Sequence, residues 1–482
     1  MRDMSKVEYD AAKIRPFNID PQVAAIIKNP ERPEAFPPLA KVPKSIPGTS
    51  GFIAGMKSLF AYKREGLQFF ANQANIHGKV FRNQLGPYSI VGVVDHEVIS
   101  QILKNGDRCW STALAVERVT RGLSFDIDLK KKSRLMSLDF DAHRQVRTLV
   151  QPAFSDRALA SYLAIIQQEF TRNIEAWPRD GEVPFRVEAR QIFSQLAARL
   201  FFGIEDSSEA ARLEGATRDY WNAIPVVLKN RHLNERWRRG LDGVATLSSI
   251  MYDLIPKRRD EGGTDLFSQL CKSREDTGGL DDDQLVDLML NIVFAAFDTT
   301  TMGITSMAYL LAKHPHWQEV LRAESMRLPE QAALADFNGM ERTTQVWKET
   351  LRMYPVSAIT PRVSLGECQV GPYVVPPRTL VFNFTGLLGQ DSDLWDHPQR
   401  FDPERFSPER AEYQRHRGQY LPFGHGVHTC VGAALANLEA KVFWSIVLTR
   451  YKFSLAKDYD AVHCMNPLGS VSGEVALKVE RL

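Results

Sequence analysis

Apolar and polar positions change their period along the chain, and each change predicts an element. Between Lys79 and Asp95, the apolar runs Val80-Phe81 and Ile90-Val91-Gly92-Val93-Val94 flank Leu85-Gly86-Pro87, which predicts a β-hairpin. The longest helical period runs from about Asp282 to Lys313. Asp281, Asp282 and Asp283 open it with the negative charge that a helix dipole favours, and His314-Pro315 ends it. At 1.5 Å per residue such a helix would be ~48 Å long, enough to cross the whole body. After Met353 the pattern breaks into short strands and turns, punctuated by Pro361, Gly366, Gly371, Pro372, Pro376 and Pro377 around runs such as Tyr373-Val374-Val375. A second helix is predicted from Val431 to about Arg450, then strands and loop from Tyr451 to Leu482.

The first 47 residues hold eight of the 26 prolines, so an extended arm over residues 1–47 is expected ahead of one body over 48–482. A prior of ~150 residues per domain suggests about three domains. No Gly/Ser linker, composition break or solenoid repeat divides the chain, so one helix-rich body with small sheets fits better. The hydrophobic fraction of 44% rules out a disordered chain. A formal charge of +2 gives no chain-wide field for nucleic acid or an anionic membrane, although a local basic patch stays possible. The apolar stretch Leu288–Phe297 is too short to span a bilayer, and the N-terminus lacks the apolar run of a signal peptide. The five cysteines are an odd number without a C-x-x-C pair, which argues against a disulfide framework, an iron–sulfur cluster or a zinc ribbon. A cytoplasmic protein is the expectation.

Chemistry concentrates in Phe423-Gly424-His425-Gly426-Val427-His428-Thr429-Cys430-Val431-Gly432. Three glycines crowd one cysteine ahead of an amphipathic helix, where unpaired N–H groups favour a thiolate. A buried structural cysteine is the alternative reading of this loop. Glu349 and Arg352 form an E-x-x-R pair, but the same spacing recurs at Glu169/Arg172, Glu209/Arg212, Glu235/Arg238, Glu319/Arg322, Glu324/Arg327 and Glu412/Arg415. Such i, i+3 pairs normally lie on the solvent side of a helix. Within the long helix, Asp298 is followed by Thr299, Thr300 and Thr301, whose hydroxyls compete for helix carbonyls.

The spacing F-x-x-G-x-x-x-C-x-G resembles the heme-binding loop of the cytochrome P450 family. In the family's order, Glu349/Arg352 with Tyr354-Pro355 comes first, then Phe401 to Phe406, then the cysteine. The resemblance covers residues 48 to 482 and implies a mainly α fold with small β-sheets enclosing a heme. It makes Cys430 the axial thiolate of the iron, with Phe423 and Gly424 in its loop. Glu349, Arg352 and Arg405 become a buried structural triad. Ala295, Ala296, Asp298, Thr299 and Thr300 match the family's oxygen-groove motif, with Ala296 in place of the usual glycine. There Asp298 is the proton relay and Thr299 the hydroxyl beside the activated oxygen. His143, Arg147, Arg362 and His428 match heme-propionate anchors. By the same analogy Trp110, Phe125, Phe297, Ala358, Ile359 and Leu468 line a pocket for a lipophilic substrate.

The implied activity is a heme-thiolate monooxygenase using heme b, O2 and NAD(P)H-derived electrons. Only about 52 residues follow Cys430, so the electrons are expected from a separate ferredoxin or flavodoxin with its reductase, docking on a basic cysteine side at Arg144, Arg415, Arg417 and Lys441. No nucleic acid and no membrane span are expected, and a monomer is. The rivals are a heme-thiolate peroxygenase or isomerase, which commonly lacks the Asp298-Thr299 pair, and a heme-binding protein without turnover.

Overall fold

The computed structural model describes residues 38–120, 134–224, 226, 230–272, 279–465 and 468–482. Most of the proline-rich arm, and Phe125, lie outside these. Eight helices position the site: α1 (Phe52–Glu65), α2 (Leu67–His77), α3 (Phe140–Val150), α4 (Phe185–Phe202), α5 (Asp282–Ala296), α6 (Thr299–Lys313), α7 (Glu341–Met353) and α8 (Ala433–Arg450). The strands are short: β1 (Val80–Leu85), β2 (Tyr88–Val93), β3 (Trp110–Ser111), β4 (Asp180–Val183), β5 (Thr360–Ser364), β6 (Cys368–Val370), β7 (Tyr373–Val375), β8 (Leu380–Asn383), β9 (Tyr451–Leu455), β10 (His463–Met465), β11 (Gly469–Val471) and β12 (Leu477–Arg481).

The expected hairpin forms with Val80 opposite Val93 and Leu85 opposite Tyr88. It starts a five-stranded sheet of order β1-β2-β8-β5-β3, in which β2 and β8 run parallel. A three-stranded sheet β4-β12-β9 and the pairs β6-β7 and β10-β11 complete the strands. Most of the helices share one large apolar core, while two smaller cores sit around the five-stranded sheet, one of them taking α1 and α2.

The predicted long helix is two helices. Its start carries a capping box, with Asp281 accepting from the Gln284 amide at 2.8 Å and Gln284 returning a bond to the Asp281 amide. The ladder then breaks at Phe297-Asp298, and Asp298 stands at the N-cap of α6 without capping it. Threonine hydroxyls account for the break. Thr299 Oγ1 donates to the Ala295 carbonyl at 2.6 Å and Thr301 Oγ1 to the Phe297 carbonyl at 3.3 Å, competing with the amide that would continue the helix. Together α5 and α6 pass the length and hydropathy test for a membrane span, but 78% of their most apolar window is buried inside the protein. This is a core element.

α6 packs directly on α7, because a Cβ at Gly303 would lie 2.5 Å from the Trp347 ring. Trp347 in turn donates to Asn437 on α8 at 2.8 Å. Three helices that carry separate motifs are thereby pinned to one another.

Candidate heme site

Cys430 sits three residues before α8, and its amide donates to the Phe423 carbonyl at 2.9 Å, closing the loop on itself. Gly424 and Gly426 adopt positive φ of 77° and 73°. A Cβ at Gly426 would lie 2.3 Å from the Leu103 carbonyl, so only glycine lets the loop lie this close to the helix His96–Lys104. Phe423 packs against the main core. Cys430 keeps exposed surface while protein atoms surround it on most sides, the situation of a cavity-wall residue. Burial pushes its thiol up, opposed by the amides of Gly432 and Ala433 and by Arg147. A bound metal ion would deprotonate it outright.

Beside the loop two arginines and two histidines cluster. His143 and His428 have ring centroids 4.0 Å apart, and His428 lies 3.7 Å from Asp139. Burial, with His428 and Arg147 nearby, drives His143 down to about 3. Burial also lowers His428, against the pull of Asp139. Arg362 is buried on β5 and lowered to about 10 by that burial, and its Nη1 donates to the Pro361 carbonyl at 2.8 Å. Among the described residues no carboxylate reaches salt-bridge distance of it. Asp139 is already engaged by Ser111, by the Thr112 amide at 2.9 Å and by His428. Two guanidiniums and two imidazoles therefore share one committed carboxylate. Such a cluster is short of anions, and a ligand carrying carboxylates would satisfy it.

Arg147 does more than the motif implied. Its Nη1 donates to the carbonyls of Thr429 at 2.8 Å and Val427 at 3.2 Å, so it holds the cysteine loop from α3.

The triad is fully buried. Arg352 grips Glu349 through Nε at 2.6 Å and Nη2 at 2.8 Å, while Arg405 Nε reaches Glu349 at 3.1 Å. Both guanidiniums lie over the Trp395 ring, at 5.4 and 5.8 Å. A fourth member escaped the sequence reading: Glu412, buried, accepts from Arg405 Nη1 at 2.8 Å. Its E-x-x-R partner Arg415 is 3.9 Å away, and the strong bond goes to Arg405 instead. Glu169 is likewise buried, between Arg172 and Arg199. The solvent-side expectation for these two glutamates is corrected.

In the α5–α6 break, Asp298 is buried and paired with Arg190 Nε of α4 at 2.9 Å. Burial raises its carboxyl, against Arg190 and Arg186. Ala295 is exposed and Ala296 half-buried beside the same break. Glu439 on α8 was also missed. It is buried, bonded to Thr300, and pushed up to about 8 by burial, with no cation in salt-bridge range among the described residues.

The expected pocket residues scatter more widely. Trp110 is buried in a core beside the five-stranded sheet, Phe297 in the main core, and Ala358 in the third core, where Ile359 packs at the margin. Leu468 is half-buried before β11. On the cysteine side, Arg144, Arg415 and Arg417 are exposed. Lys441 is buried, so that member of the expected docking patch is corrected. Cys109, Cys271 and Cys368 are buried and pack as small hydrophobes, whereas Cys464 is exposed.

A thiol loop pinned by arginine, an anion-deficient cluster and a threonine-broken core helix now stand together. The cytochrome P450 family profile matches residues 47–480. The chain belongs to the cytochrome P450 family. The family brings a heme-iron cofactor and monooxygenase chemistry with O2 and reducing equivalents. The chain is 26% identical over 439 residues to the cyclooctat-9-en-7-ol 5-monooxygenase of Streptomyces melanosporofaciens, covering 88% of this chain and 93% of that one. It is 26% identical over 436 residues to abscisic acid 8'-hydroxylase 3 of Oryza sativa subsp. indica, covering 86% and 83%. Its fold resembles a solved retinoic acid-bound cyanobacterial CYP120A1, with a TM-score of 0.80 at 22% identity over 88% of this chain and 96% of that one.

Proposed function

We propose that this P450 hydroxylates or epoxidises a lipophilic small molecule of fatty-acid, terpenoid, steroid or polyketide type, using heme b and electrons from a separate ferredoxin or flavodoxin with its NAD(P)H-dependent reductase. The observation that carries the reading is the pairing of the Cys430 loop with the acid–alcohol break at Asp298-Thr299. The relatives named for cyclooctat-9-en-7-ol and abscisic acid support a lipophilic substrate. Heme would supply the oxygen-activating iron, with Cys430 as its thiolate ligand and His143, Arg147, Arg362 and His428 toward its propionates. The chain's own part is to deliver protons and exclude water. Asp298, buried yet joined to partly exposed Arg190, takes up protons from the solvent side. Thr299 passes them on when its hydroxyl leaves the Ala295 carbonyl.

The test combines a reduced-plus-CO difference spectrum with turnover. A thiolate-type Soret shift that Cys430→Ser abolishes, and product formation driven by ferredoxin, reductase and NAD(P)H, are expected. Turnover supported by hydrogen peroxide and not by electron donors would overturn the monooxygenase reading in favour of a peroxygenase.

A further inference from the structure

One amide interrupts the apolar run of α5: Leu288-Met289-Leu290 leads into Asn291, and Ile292-Val293-Phe294 leads out. Asparagine is a poor choice inside a helix, and its carboxamide needs partners once buried. Asn291 is only 6% exposed, yet no hydrogen bond reaches its side chain among the described residues. The polar groups a turn to either side are satisfied. Asp287 accepts from Arg134 Nε at 2.6 Å and from the Arg134 amide at 3.2 Å, and the Ala295 carbonyl takes the Thr299 hydroxyl. Residual surface shows which way the Asn291 amide looks. Val286, Met289 and Val293, on the opposite side of the helix, have none, whereas Asn291, Ile292 and Ala295 keep some. Four residues apart, Asn291 and Ala295 lie one above the other. The side that keeps surface is therefore the side that leads into the break at Asp298-Thr299. Leu288, a turn before Asn291 on that side, is sealed, so Asn291 stands at the far end of the stretch. Next to it Phe294 is covered by the Trp221 ring at 4.0 Å and the Tyr220 ring at 5.7 Å, which leaves the amide in apolar surroundings.

We infer that Asn291 is a specificity-determining residue, whose carboxamide hydrogen-bonds a hydroxyl already present on the substrate, one helical turn from the carbon that is oxidised. The inference rests on the lipophilic-substrate reading and narrows it. A carboxamide offers N–H donors and a carbonyl acceptor, and a neutral hydroxyl uses both kinds. A carboxylate would call for a cation instead, and Arg134 already holds Asp287. The four residues from Asn291 to Ala295 span about 6 Å along the helix axis. The substrate is therefore an apolar skeleton whose alcohol sits about that far from the position facing Thr299. A hydrocarbon analogue would leave the buried amide unpaired, which is what makes such a contact discriminating.

The experiment titrates the full-length, heme-loaded protein with 1-(ω-hydroxyalkyl)imidazoles and with 1-alkylimidazoles of equal length that end in methyl. Imidazole ligates heme iron whatever the natural substrate is, so the Soret shift reads how the pocket receives each tail. At one tail length the hydroxyl probe should bind about tenfold tighter than its methyl twin, and shorter or longer tails should lose the difference. Asn291→Leu should reverse the preference at that length. It should also raise the melting temperature of the ligand-free protein, because it removes a buried amide without a partner. Asn291→Ser, with a donor and an acceptor on a shorter stem, should keep the preference and move it to a longer tail. No hydroxyl preference at any length, or one that Asn291→Leu leaves intact, overturns the inference. So does an Asn291→Leu protein that melts lower, since the amide would then be bonding the fold. Neither readout needs turnover, so failure here is separable from failure of the monooxygenase reading.

Discussion

Arg362 shows how one side chain can report a ligand. A guanidinium has five donors and no acceptor; Arg362 is buried, gives one donor to the Pro361 carbonyl and meets no carboxylate at salt-bridge distance among the described residues, so a carboxylate ligand would pair with its charge. Arg362→Ala should therefore weaken heme retention about ten- to hundredfold, read as heme transfer to an apomyoglobin trap, while the fold by circular dichroism stays intact. Thr299 makes a different kind of statement. Its hydroxyl is parked on the Ala295 carbonyl, at the break between α5 and α6. Thr299→Ala should lower product formed per NAD(P)H by roughly tenfold, with the electrons appearing as peroxide; unchanged coupling would remove Thr299 from proton delivery. Cys430, Arg352 and Thr299 were legible in the sequence because glycine placement and motif order distinguish them. Arg190, Glu412 and Glu439 were not. Arg190 meets Asp298 across 108 residues, and Glu412 looked like one of several interchangeable E-x-x-R pairs until Arg405 was seen to reach it.

At the scale of elements, the sequence located the helices and strands well and their interruptions less well. Apolar period continues through Phe297, so periodicity alone read one helix where hydroxyl competition makes two. The junction between α7 and residues 401–412 depends on charges that water cannot reach. Glu349→Ala or Glu412→Ala would leave Arg405 buried with too few acceptors, a loss of about 3–5 kcal/mol. Urea melts should show it, with heme occupancy falling alongside because Tyr420, which leads into the cysteine loop, is bonded to the Lys348 carbonyl of α7 at 2.9 Å. The α6–α8 contact carries a pH signature. Burial raises Glu439 to about 8 from an ordinary value near 4.5, so between those limits the folded state holds a proton that the unfolded chain has released. Its contribution to stability is therefore full below pH ~4.5 and lost as pH rises toward ~8. Glu439→Gln should flatten the fall in melting temperature across that window; an unchanged slope would mean that other groups set it.

For the whole molecule, a net charge of +2 averages over faces, and the cysteine side carries cations of its own. There Arg417 lies close enough to perturb Lys104: burial and then Arg417 lower Lys104, and burial, then Lys104 and Arg417, lower His425 in the cysteine loop. Arg415 is spent on Asp396 at 2.8 Å, and Lys441 is internal. On the proposed reading, the positive field offered to an electron donor centres on Arg417 and Lys104 beside the cysteine loop. Charges at the rim of such an encounter act on association more than on the docked state. Arg417→Glu should slow reduction by an acidic ferredoxin by roughly three- to tenfold at low salt. The deficit should shrink as ionic strength shortens the Debye length, and dithionite reduction should be unaffected. Stopped-flow reduction under CO across a salt series measures all three; a defect that persisted with dithionite would place the fault in the heme site, and one that ignored salt would mean that Arg417 does not face the donor.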